Sequence, residues 1–97
     1  MLGLIQTYLD HLTVERGMSR HTVGAYGRDL RRYAGYLAEQ GITDPSQVTS
    51  AMIGSYAARL REGVAAPDGA GWTEQPLASA SAARAVIAVR SLHRFAC

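Results

Sequence analysis

The stretch SRHTVGAYGRDLRRYAGYL, residues 19–37, decides the fold. Placed at 100° per residue, Val23, Tyr26, Leu30, Tyr33, Ala34 and Leu37 fall within a sector of about 100°, the mark of a helix with one buried face. Ser19 offers an N-cap, Thr22 lies in the first turn, and Gly41 stops the helix just after Gln40. The same stretch holds three glycines, Gly24, Gly27 and Gly35, and four arginines, Arg20, Arg28, Arg31 and Arg32. Glycine inside a helix costs about 1 kcal/mol relative to alanine, so the outward face calls for a reason. That face consists of His21, Gly24, Ala25, Arg28, Arg32, Gly35 and Glu39, flanked by Gly27 and Arg31. A helix meant only for water would do better with Glu, Lys or Gln there. Small residues let a bulky, rigid partner approach the backbone, and a polyanion would also use the arginines. The plainer alternative is a solvated face whose glycine and arginine content reflects a GC-rich genome.

Three further helices flank this one. Leu2 to Arg16 sets Ile5, Tyr8, Leu9 and Leu12 on one stripe and ends before Gly17. After a turn at ITDPSQVT, a helix over 50–62 buries Ile53, Tyr56, Ala57 and Leu60 and stops at Gly63. The last helix covers 79–96, with Val86, Val89, Leu92, His93 and Ala96 as its expected buried stripe. Residues 63–78 are rich in Gly, Pro and Ala, show neither helical nor strand periodicity, and read as a mobile loop. Trp72 within it is expected to anchor against the helices, because large apolar side chains are seldom left free. The reading is a single all-α domain, a four-helix bundle whose short connections favour helical hairpins.

The totals narrow the function. Ninety-seven residues with 47% hydrophobic content suit one small globular domain. No apolar run approaches the roughly 20 residues of a membrane span, and the start MLGLIQTYLDHL lacks the basic region of a signal peptide. Cytoplasmic placement is the simplest expectation. The single cysteine, Cys97, allows no internal disulfide and builds no metal site, and the three histidines are dispersed. No cofactor is implied. Net charge is only +2, but it is unevenly spread, and all ten basic residues are arginine. Residues 79–97 carry Arg84, Arg90 and Arg94 with no acid, and residues 19–40 have four arginines against Asp29 and Glu39.

Helix four strengthens the polyanion reading. Ser81, Arg84, Ala88 and Ser91 line a second face of small residues around one arginine. Two such helices suit a DNA major groove, about 12 Å wide, which admits a helix. Arg84 has the forked donors for guanine O6 and N7, Arg28 and Arg32 read as phosphate clamps, and Arg90 either braces the fold or reaches a phosphate at the edge.

The segment YLDHLTVERGMSRHTVGAYGRDLRRYAGYL resembles the opening of the core-binding domain of tyrosine recombinases. The shared pattern is an apolar helix, an ERG-type turn, then S-x-x-T-x-x-x-Y-x-x-D-L, here Ser19, Thr22, Tyr26, Asp29 and Leu30. The tail SASAARAVIAVRSLHRFAC is similar to the last helix of that domain, with Arg84 followed by Ala88, Val89 and Arg90. Within the family the likeness is greatest to the recombinases that resolve chromosome dimers.

The resemblance implies a SAM-like bundle of two crossed helical hairpins whose second and fourth helices enter the groove of a recombination half-site. Ser19 and Thr22 would meet phosphate at the start of helix two. His21, Gly24, Ala25 and Arg28 would lie along the groove, as would Ser81 and Arg84 on helix four. Tyr26 and Asp29 fall by the core face and read as structural. The whole recombinase would work with a partner recombinase in a tetrameric synapse and with a septal DNA translocase. The family's catalytic groups do not carry over: the chain has no lysine and no His-x-x-Arg, and its five tyrosines all fall on helices, most of them on core stripes. The chain is therefore expected to bind duplex DNA without cutting it, the catalytic domain lying outside it. The alternatives are the equivalent arm of a phage or transposon integrase, or a helical module that docks protein.

Overall fold

The structure is a computed structural model describing residues 1–96; Cys97 lies outside the described residues. Four helices form it: α1 (Leu2–Val14), α2 (Arg20–Glu39), α3 (Ser50–Glu62) and α4 (Ser79–Ala96). A single 3-10 turn at Pro45–Gln47 joins α2 to α3. Between α3 and α4 lie two short antiparallel strands, β1 (Val64–Ala65) and β2 (Trp72–Glu74). The bundle is all-α, as the periodicity predicts.

Each boundary has a local cause. Ser19 caps α2 by accepting from the Thr22 amide at 3.2 Å, and Thr49 caps α3 through the Met52 amide at the same distance. Ahead of α3, Asp44 accepts from the Ser46 amide, which holds its carboxyl below the usual carboxylate range. The α1 helix ends at Val14, two residues earlier than expected, and Gly17 turns the chain at φ 59°, a left-handed value that favours glycine.

The core is one cluster. Ile5, Tyr8, Leu9 and Leu12 from α1 meet Leu30, Tyr33 and Leu37 from α2. Tyr56 and Leu60 from α3 and Ala82, Ala85, Ala88, Val89 and Leu92 from α4 complete it. Val23, Tyr26 and Ala34 pack against this cluster half-buried, so the predicted core face of α2 is observed. Gly27 is buried where α1 passes: a Cβ there would sit 3.4 Å from Leu9 Cδ1 and 3.2 Å from Arg31 Nη1. This glycine serves helix packing. Gly24 and Gly35 stay exposed with room around them.

Two expectations are corrected in residues 63–78. A short antiparallel ribbon replaces the featureless loop, and Arg59 ties its second strand to the helices through Glu74. The Arg59 guanidinium donates to Glu39 on α2 at 2.9 Å and to Glu74 on β2 at 2.6 Å, and lies 5.1 Å over the Tyr36 ring. These bonds hold the guanidinium pKa above its ordinary value, the Glu74 contact most of all. Trp72 is no anchor. It is 51% exposed, because the ribbon is tied through Arg59, Glu74 and the Leu77 amide on the Leu60 carbonyl rather than through the indole.

Candidate nucleic-acid interface

Among the described residues, Asp29 is the one charged residue whose side chain is buried, with 1% exposure. Tyr26, Leu30 and Tyr33 beside it on α2 give it an apolar setting, so an unpaired carboxylate there would cost several kcal/mol. Arg84 on α4 supplies the partner. Its Nε donates to Asp29 Oδ2 at 2.9 Å and its Nη2 to Asp29 Oδ1 at 3.1 Å. The hydrogen bonds to Asp29 raise the Arg84 guanidinium pKa above its ordinary value. Arg32 Nη1 approaches the same carboxylate at 3.8 Å. Asp29 therefore ties the arginine edges of α2 and α4 together, with Arg84 still 41% exposed and Arg32 38% exposed.

The outward ridge of α2 is as the wheel places it at His21, Gly24, Arg28, Arg32, Gly35 and Glu39, all exposed. Ala25 is corrected. It is 6% exposed, because it lies one turn before Asp29 on the flank that turns toward α4. At the N-terminus, Ser19 Oγ accepts from the Thr22 amide and donates to Thr22 Oγ at 3.0 Å, so the two side chains are engaged with each other.

On α4 the buried stripe is shifted. Ala82, Ala85 and Ala88 line the core with Val89 and Leu92, whereas Val86 is half-buried and Ala96 exposed. Ala88 thus belongs to the interior and not to the face around Arg84. Ser81, Arg84 and Ser91 lie half-buried along the edge of that stripe. The outward ridge is Ala83, Ile87, Arg90 and Arg94, with Ile87 54% exposed. Arg90 lines, with Arg61, a shallow apolar groove of about 370 Å³ between α3 and α4. His93 is half-buried against Tyr33.

Sequence reasoning placed Asp29 by the core but missed its partner. The signal was present: an acid on an apolar face requires a base across the interface, and helix four offers few. Chemically, the seam holds cations at helix edges among small residues, an arrangement that suits an anionic partner.

Residues 5–97 match the family model for the phage integrase N-terminal SAM-like domain. The chain belongs to that family. It is 49% identical over 92 residues to tyrosine recombinase XerD of Mycobacterium tuberculosis, covering 95% of this chain and 28% of that protein. The same comparison gives 43% over 93 residues for tyrosine recombinase XerD of Corynebacterium glutamicum, and 30% over 96 residues for that of Staphylococcus aureus. These cover 96% and 99% of this chain and 28% of each relative. The chain thus spans little more than a quarter of the length of the curated relatives it matches. No solved structure matches it.

Proposed function

We propose that this chain is the DNA-binding arm of a XerD-like, site-specific tyrosine recombinase. It clamps duplex DNA at a recombination half-site in chromosome dimer resolution. The observation that carries the reading is the seam at Asp29, which sets Arg32 and Arg84 side by side across α2 and α4. Arg28 and Arg32 neutralise phosphates and Arg84 faces base edges. His21 and Gly24 on α2 and Ser81 on α4 border the groove, and Ser19 and Thr22 sit where the free amides of the α2 N-terminus favour an anion. Arg90 reaches a phosphate at the edge. Ala25 has no place in this contact because it is buried.

The arm itself performs no chemistry in this reading. Strand cleavage belongs to a catalytic domain beyond these residues, and the whole protein acts with a XerC-like partner in a tetrameric synapse and with a septal DNA translocase. A cytoplasmic setting accompanies that role. The likeness to tyrosine recombinase XerD supports the recombinase role, and the family match leaves the arm of a phage or transposon integrase as the second reading.

Titration of duplex DNA against the chain at several salt concentrations tests it. Log affinity should fall with log salt at roughly 0.9 per phosphate neutralised. Binding that is weak, non-saturable and insensitive to salt would instead mark a protein-docking module. Preference for a chromosomal dimer-resolution site over a phage attachment site separates the two recombinase readings.

A further inference from the structure

We infer that Asp29, although it touches no DNA, sets base preference by holding Arg84 in one orientation. The inference rests on the DNA-arm reading above. A guanidinium carries five N–H donors in a rigid plane. Asp29 takes the edge formed by Nε and Nη2, at 2.9 and 3.1 Å. The end formed by Nη1 and the second Nη2 hydrogen is left over, and among the described residues Arg84 has no hydrogen-bond partner besides Asp29. That end is itself a two-donor fork, the geometry that reads guanine O6 and N7. Ala82, Ala85 and Ala88 fix the α4 backbone beside it in the core, so the held guanidinium projects from a rigid element.

Charge argues the same way. At a surface built for phosphate alone, a carboxylate between two arginines is a loss, since it cancels one positive charge and lowers general attraction. Its compensation is order. A free arginine side chain loses rotamer entropy when it meets a base, a loss that a fixed one has already taken. Asp29 is thus a positioning residue that weakens binding to all DNA slightly and sharpens binding to one sequence.

The test is the Asp29→Asn variant, which keeps shape and one acceptor while removing the charge. Two probes are used: a duplex that the wild-type chain selects from a randomised pool, and a scrambled duplex of the same composition. Affinity for the scrambled duplex should rise about two- to threefold as one negative charge is lost, while the selected-to-scrambled ratio falls about tenfold. A purely bracing role predicts that both affinities drop together with thermal stability. Should Asp29→Asn not fold, Asp29→Glu decides the matter, because it keeps the charge and an ion pair but displaces the guanidinium that Asp29 holds. It should hold scrambled-duplex affinity and lose the ratio. An unchanged ratio in the folded variant overturns the inference, as does a wild-type chain that binds duplex in a salt-dependent way yet selects no sequence. Failure of the wild-type chain to bind duplex at all overturns the DNA-arm reading itself.

Discussion

The Tyr33 hydroxyl and His93 Nε2 lie 2.7 Å apart although 60 positions separate them in the chain. The rings meet edge to face, 5.8 Å between centroids, and Tyr56 packs on the far side of Tyr33 at 5.1 Å. This bond joins α2 to α4 one helical turn beyond Asp29 along α2. Burial, with the neighbouring Tyr36 as a lesser cause, pushes the Tyr33 phenol up to about 12. Burial lowers the His93 imidazole below its ordinary value.

The unfolded chain takes up a proton on His93 at about pH 6.5 and the native chain only at a lower pH, so between those points the unfolded state binds more protons. The contribution of neutral His93 is complete above about pH 6.5 and is lost as the pH falls below it. Melting temperatures measured from neutral to mildly acidic pH should decline, and His93→Gln should flatten that decline. An unchanged slope in the variant would assign the acid sensitivity elsewhere.

Gly24 and Gly35 separate folding from binding. Neither has a close neighbour that a Cβ would strike, the nearest being Arg28 Nη1 at 4.0 Å from Gly24. Alanine at either position should stabilise the free chain by about 0.5–1 kcal/mol. On the proposed interface Gly24→Ala should also weaken duplex binding, because its methyl stands on the ridge beside Arg28, while Gly35→Ala, three turns further on, should not. Chemical denaturation and duplex titration of both variants read the two quantities side by side.

Gly63 is the opposite case. It sits at φ 74° and ψ −179°, a region that only glycine occupies readily, and a Cβ there would lie 2.7 Å from Pro76 Cδ and 2.8 Å from the Glu74 carbonyl oxygen. The backbone alone makes Gly63→Ala unfavourable by about 1–3 kcal/mol, and the contact with fixed backbone adds to it. Calorimetry should show a melting temperature lower by at least about 4–8 °C per kcal/mol lost.

Arg59 holds α2, α3 and β2 in one place through Glu39, Tyr36 and Glu74. Replacing it by Met keeps the stem and removes the charge. Charge-assisted bonds at a partly exposed site suggest a loss of about 1–2 kcal/mol. The sharper readout is local: amide exchange at Ala66, which bonds the Gly71 carbonyl at 2.9 Å, should speed up while that of Leu30 stays slow.

The two long helices differ in how much of their packing the sequence displayed. On α2 the large buried side chains are Leu and Tyr set among Arg, Gly and Glu, so hydrophobic contrast marks that face, whereas Ala25 and Gly27, too small to show contrast, are buried beside it. On α4 the interior is built largely of alanine, which is as common outside as in, and the stripe was drawn through Val86 and Ala96 instead of Ala85 and Ala88. The wheel sets Arg84 on a face of small residues, and it does not show that one edge of its guanidinium is engaged by Asp29. Such a pairing depends on which helices meet, information that a helical wheel does not hold. Trp72 was misjudged for a related reason: the loop's anchors are ionic and backbone contacts that carry no periodic trace.

The ribbon between α3 and α4 has its ties at the base: Gly63 against Pro76, Glu74 on Arg59, and the Leu77 amide on the Leu60 carbonyl. Pro67 through Gly71 at its crown touch none of them. That crown is thus a docking port for engineering, where a fluorophore or affinity tag could be spliced into the chain without disturbing the four helices or the arginine seam.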